Sequence, residues 1–250
     1  MSRTKVLILA ILCLLAVSAA SRMSPAEDWA TFRGEFDRSG KTDESVPPPP
    51  MDNPPTPQPL LSAWAVPYAT GAAITASPVV SDGRVYVGTY GGVLHCINAL
   101  TGNGEWQFET DGPITCTPTC AAGVVYFTSW DGFIYAVWTS GFNAQGDPLA
   151  GQMRWRTFHS GIGGSSPLVV GDTIYVGVGS PSFEIRSFNV ATGAQVDSAL
   201  TRQPVNSSPT ILGSTIVIPS NDGIIWSYSS DLQELHHRAS EWYLQEGQVD

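Results

Sequence analysis

The chain has 250 residues, 42% of them hydrophobic and only 14% charged, with 25 glycines and 19 prolines. That is enough apolar material for one large β domain or two small ones, and the glycine and proline content demands many tight turns. With twelve basic against 22 acidic residues and a formal net charge of −10, the surface repels phosphate backbones, which excludes nucleic acid as a partner.

Residues 1–20 read as a signal peptide. Arg3 and Lys5 form a basic start, Val6 to Val17 is apolar, and Val17-Ser18-Ala19 gives a small-x-small cleavage pattern. The apolar run is short for a membrane span, so no integral span is expected, a retained anchor being the alternative. Cys13 follows Leu12, which does not fit a lipoprotein cleavage site. The expected location is secreted or periplasmic, and after cleavage Lys41 is the only lysine. Residues 21–42 form an N-terminal segment ahead of the main fold. Residues 43–59 are proline-rich and cannot build a helix or a central strand. They read as an extended linker, with a ligand for a proline-recognition module as the lesser alternative.

From residue 60 to 250 the chain repeats. Ser77-Pro78, Thr117-Pro118, Ser166-Pro167 and Ser208-Pro209 open successive units at spacings of 40, 49 and 42 residues, and the long spacing contains a Gly/Asn/Pro-rich insertion from Thr139 to Gln152. Each pair precedes a short apolar segment, a turn such as Asp82-Gly83, and a strong β run such as Val85-Tyr86-Val87 or Val124-Val125-Tyr126-Phe127. A glycine turn, a third run and a more polar fourth strand follow; the third unit is irregular and carries Ser180-Pro181-Ser182. The second strands are apolar on both faces, as in a sheet with neighbours on both sides. The expected fold is therefore all-β: a β-propeller of four-stranded antiparallel blades at about 77–110, 117–158, 166–203 and 208–238. Trp64, thirteen residues before Ser77, marks residues 60–67 as an outer strand without its own inner strands.

The first unit contains Asn98-Ala99-Leu100-Thr101-Gly102-Asn103-Gly104-Glu105-Trp106. This resembles the tryptophan-docking repeat of the quinoprotein-like, PQQ-type β-propellers, with Asn98 where the family usually has Asp. The third unit keeps Asn189, Thr192 and Gly193 but has Asp197 at the tryptophan position; the second keeps Ala136, with Trp155 arriving late. Trp29-Ala30-Thr31-Phe32-Arg33-Gly34 is similar to an N-terminal segment found in bacterial members. The expected structural motif residues are thus Asn98, Thr101, Gly102, Trp106, Asn189, Thr192 and Gly193. The glycine takes positive φ, and the indole projects toward the next blade. The resemblance implies a ring of seven or eight blades. Four blades and a spare strand then imply a truncated chain or two copies completing a ring as a homodimer, with a closed four-bladed ring as the third option.

Catalytic signatures are sparse. His95, His159, His236 and His237 lack metal-binding spacing, and the adjacent pair His236-His237 points to opposite faces of a strand. Gly161-Ile162-Gly163-Gly164-Ser165-Ser166 leads into a strand and so lacks a phosphate-binding helix N-terminus. Asn206-Ser207-Ser208 fits a glycosylation sequon. Cys96, Cys116 and Cys120 read as buried strand thiols, with one intrachain disulfide as the alternative. The resemblance also implies an alternative: a fragment of a quinoprotein alcohol or sugar dehydrogenase that uses PQQ and calcium. That branch carries an adjacent Cys-Cys pair, which this chain lacks. No catalytic, cofactor-binding or metal residues are assigned, and no cofactor is expected. The expected function is a non-catalytic binding or scaffold propeller for a protein, peptide or carbohydrate. Its candidate contacts are the loop aromatics Trp130, Phe142 and Phe183, inter-blade packing being the alternative for Trp130.

Overall fold

The structure, a computed structural model, describes residues 64, 67–143, 145–161 and 164–239, the last six of these by backbone alone. The signal peptide, the 21–42 segment with its Trp-x-x-Phe-Arg-Gly motif, the 43–59 linker and the side chains of His236 and His237 lie outside the described residues.

The described strands form four antiparallel sheets, each of four strands in chain order. The first holds β1 (Val79–Ser81), β2 (Arg84–Gly88), β3 (Val93–Asn98) and β4 (Gly104–Glu109). The second holds β5 (Thr119–Ala121), β6 (Val124–Thr128), β7 (Phe133–Trp138) and β8 (Met153–Phe158). The third holds β9 (Leu168–Val170), β10 (Thr173–Val178), β11 (Glu184–Asn189) and β12 (Gln195–Leu200). The fourth holds β13 (Thr210–Leu212), β14 (Thr215–Pro219), β15 (Ile224–Tyr228) and β16 (Glu234–Ala239). No helix occurs among the described residues, so none there is long and apolar enough to cross a membrane. These sheets are the blades of a β-propeller.

The packing follows from the two-residue period of a strand. In β6 every residue is buried. Val125 and Phe127 pack toward the first blade with Tyr86, Leu94 and Cys96. Val124 and Tyr126 pack toward the third blade with Ile174, Val176 and Phe188. The third seam repeats the scheme, with Leu168, Tyr175 and Ile185 against Ile216, Ile218, Trp226 and Tyr228. Each such side chain contributes on the order of 1.5–3 kcal/mol by leaving water. The outer strands β4 and β12 alternate between exposed and half-buried residues, as one wet face requires. In every blade the pairing of the third strand with the outer strand carries a register shift, at Cys96/Ile97, Ala136/Val137, Ser187/Phe188 and Ser227/Tyr228.

The irregularity of the third unit is confined to its turn. Ser180-Pro181 is a cis peptide, Phe183 follows at φ 54°, and β11 then pairs regularly with β10. The Ser/Thr-Pro pairs link the blades near their inner strands. The Thr117 N–H donates to Ser166 Oγ at 2.9 Å, the Ser166 N–H donates to Ser208 Oγ at 2.9 Å, and Thr119 Oγ1 donates to the Pro167 carbonyl at 2.6 Å. Of the two readings of the cysteines, the structure has the thiols. Cys96, Cys116 and Cys120 are buried and not joined in a disulfide, and Cys116 Sγ exchanges hydrogen bonds with Thr128, donating to its carbonyl at 3.3 Å and accepting from its N–H at 3.2 Å.

Candidate functional site

The repeat motif builds a seat for an indole. Asn98 Oδ1 accepts the N–H groups of Leu100 and Thr101 at 3.1 and 3.0 Å, closing a turn that places Gly102 at φ 75°. Asn189 does the same for Ala191 and Thr192, both at 3.0 Å, and Gly193 sits at φ 72°. The tryptophan on each seat belongs to the preceding outer segment. A Cβ on Gly102 would lie 2.6 Å from the Trp64 ring, and one on Gly193 would lie 2.5 Å from the Trp155 ring. Each indole Nε1 then donates to the carbonyl three residues before its glycine, Trp64 to Ala99 at 2.9 Å and Trp155 to Val190 at 3.0 Å.

Trp106 finds a different seat. It packs on Gly151, at the end of the Thr139–Gln152 insertion, 3.2 Å from where a Cβ would be. Its buried Nε1 has no hydrogen-bond partner among the described residues. The corresponding carbonyl, that of Pro148, accepts from Gln152 Nε2 at 2.7 Å instead. Asp197 leaves the last seam without such an indole. Trp226 fills that seam from β15, stacked at 10° on Tyr228, whose hydroxyl reaches the Leu200 carbonyl at 3.5 Å.

The turn between the second and third strands presents aromatic side chains in the first two blades. The Tyr90 N–H donates to the Ala73 carbonyl at 2.8 Å, and the Trp130 N–H donates to the Pro113 carbonyl at 2.9 Å. The two rings meet edge to face, with centroids 5.6 Å apart. Trp130 Nε1 donates to Thr115 Oγ1 at 2.9 Å, yet Tyr90 stays 49% and Trp130 37% exposed. Trp130 is therefore a surface residue anchored at its edges. Asp131 ties the turn down, accepting from Tyr135 Oη at 2.6 Å, the Phe133 N–H at 3.0 Å and the Asp111 N–H at 3.2 Å. Gly112 is required beside it, since a Cβ there would lie 2.5 Å from the Asp131 nitrogen.

The other two candidate contacts lie elsewhere. Phe142, 72% exposed, sits in the insertion between β7 and β8, at the opposite end of β7 from Trp130. Phe183 lies at the same end as Trp130 but in the third blade, half-buried, with its carbonyl accepting from the Thr201 N–H and hydroxyl. Tyr90 escapes sequence reasoning; its signal was the alignment of Thr89-Tyr90-Gly91-Gly92 with Ser129-Trp130-Asp131-Gly132.

The two histidines with described side chains, His95 and His159, are buried. His159 occupies the position held by Thr110 and Thr201 in the neighbouring blades, whose hydroxyls each reach two loop carbonyls. The His159 Nδ1 accepts the Gly161 N–H at 3.4 Å, and its carbonyl accepts from Arg186 Nη1 at 3.1 Å. Burial, with the Arg186 charge second, pushes its pKa down to about 4. Burial also lowers that of His95, which faces Tyr68. Gly164 and Ser165, at the end of the glycine-rich run, lead toward β9, and Ser165 Oγ accepts the Gly177 N–H at 2.9 Å. Among the described residues no group of three or more His, Cys, Asp or Glu side chains is arranged to hold a metal ion.

Stacked four-stranded blades joined by indoles seated on left-handed glycines define a β-propeller of the PQQ-repeat class. Residues 62–199 match the PQQ_2 family, described as outer membrane protein assembly factor BamB, and the chain belongs to that family. Over 150 residues it is 26% identical to the quinohemoprotein alcohol dehydrogenase of Comamonas testosteroni, a match covering 53% of this chain and 20% of that protein. BamB from Moraxella catarrhalis is similar in structure, with a TM-score of 0.59 and 17% identity over 68% of this chain and 54% of that one. The structure of the Comamonas dehydrogenase gives a TM-score of 0.63 at 14% identity, covering 87% of this chain and 42% of that one. These structural likenesses show the fold, and the chain spans about half the length of BamB and a smaller share of the dehydrogenase.

Proposed function

We propose that the chain is a non-catalytic scaffold of the branch without dehydrogenase activity, exported by its N-terminal leader, that binds a protein partner through its loops. The observation that carries this reading is the exposed, edge-anchored Tyr90–Trp130 pair at the end of the first two blades. Aromatic side chains held rigid at a loop surface supply contact area with little entropy left to lose. Family membership supports the same reading, since the family is described by an assembly factor. Peptide and carbohydrate ligands are the other occupants such a surface admits.

The experiment is chemical cross-linking of the tagged full chain in the cells that produce it, followed by mass spectrometry. The expected result is one protein partner recovered in stoichiometric amount. A second reading, a portion of a PQQ- and calcium-dependent dehydrogenase, is favoured by the 26% identity to the Comamonas enzyme. Dye-linked alcohol oxidation by the purified chain after addition of PQQ and calcium, with no partner recovered, would replace the first reading by the second.

A further inference from the structure

The fold does not ask for aromatic residues at the Tyr90 and Trp130 positions. In the fourth blade the same turn position is Asn221, which is exposed and makes the equivalent backbone bond, donating to the Pro204 carbonyl at 3.1 Å. Two blades nevertheless place large rings in water at this point, and Ile74, which follows the residue that receives the Tyr90 N–H, is 50% exposed. Aromatic faces carry negative potential and attract guanidinium and ammonium groups. The residues leading out of β4 add charge of the same sign. Glu109 and Asp111 are exposed, and the Asp111 backbone is tied to the Trp130 turn through Asp131. The whole chain is acidic, at −10.

We infer that the Tyr90–Trp130 surface takes a polypeptide segment in which an arginine or lysine stands beside an apolar side chain. This rests on the protein-binding reading above and gives the partner its chemistry. A purely apolar segment would desolvate Glu109 and Asp111 without pairing them, and an acidic one would be repelled. A cation laid on a ring face meets the π surface next to the acidic segment that Asp111 ties to the turn, while the apolar neighbour covers the remaining ring.

The test is fluorescence anisotropy of the full chain with a fluorescein-labelled peptide alternating arginine and leucine, and with counterparts carrying glutamate or glutamine for arginine. The arginine peptide binds best, and added salt weakens it. Trp130→Ala and Tyr90→Asn each raise its Kd about tenfold, and Asp111→Asn raises it a few-fold. Leu100→Asp, at the other end of the first blade, leaves it unchanged. Equal affinity for the three peptides, no binding at all, or binding that survives both aromatic substitutions overturns the inference. If that happens while a cross-linked protein partner is recovered, the binding reading stands and only its chemistry falls.

Discussion

The backbone N–H of Ser166 donates to the hydroxyl of Ser208 at 2.9 Å, and the hydroxyl of Ser166 receives the N–H of Thr117 at the same distance. One residue type in one repeat position thus joins three consecutive blades near their inner strands. The hydroxyl of each following unit satisfies a backbone donor that the preceding proline-containing turn leaves without a ladder partner. Ser166→Ala strands the buried Thr117 N–H and should cost about 1–3 kcal/mol in urea unfolding. A change below a few tenths would show that the bond adds nothing.

The indole seats should respond unequally to the same change. Trp155→Phe removes the bond to the Val190 carbonyl as well as ring area, whereas Trp106→Phe removes a buried N–H that has no acceptor among the described residues. The first variant should therefore lose about 1 kcal/mol more than the second. Equal losses in denaturant titrations would contradict the assignment of the two seats.

Glycine replacement separates backbone strain from the seat itself. Gly171→Ala meets no atom within 4 Å and carries only the penalty of φ 56°, about 1 kcal/mol. Gly193→Ala adds a Cβ 2.5 Å from the Trp155 ring and must displace it. Its midpoint should fall well below that of Gly171→Ala, and near-UV circular dichroism should report the moved indole.

His159 makes stability depend on pH. Its folded pKa, about 4, lies below the ordinary 6.5, so the unfolded chain binds the proton first. The contribution is complete above pH 6.5 and is lost as pH falls from there toward 4, by a few kcal/mol at most. His159→Thr, which restores the residue found at Thr110 and Thr201, should flatten the pH profile between those limits. A variant with an unchanged profile would assign the dependence to other groups.

The thiols should be silent in the native protein. Burial pushes the Cys96 pKa up to about 12, and Cys116 and Cys120 lie in the same core. Ellman's reagent should not label these three until guanidinium is added. Rapid native labelling would place them outside the seam between the first two blades.

The blades were legible because their signals are local. The Ser/Thr-Pro pairs, the doubly apolar β6 and the Asn-x-x-Thr-Gly turns each lie within a few residues. The seat of Trp106 was legible only through spacing. Gly151 stands four residues before Trp155, as Gly102 stands before Trp106, so the insertion precedes the glycine and Trp155 is in register after all. The bond between Ser166 and Ser208 and the contact of Tyr90 with Trp130 were not legible. Both join residues about forty positions apart, and their meeting depends on how one blade is set against the next, which no window along the chain contains. Phe142 stood out in the sequence as equal to Trp130 because exposure can be guessed from composition, whereas the end of a blade on which a loop emerges follows only from strand order.

A photo-reactive side chain at position 130 tests most directly whether this propeller works by holding a polypeptide on that end, with position 100 as the control at the other. Illumination of the producing cells should join one protein to the chain from 130 and none from 100. Cross-links from 100 alone, or from neither position, would contradict the account.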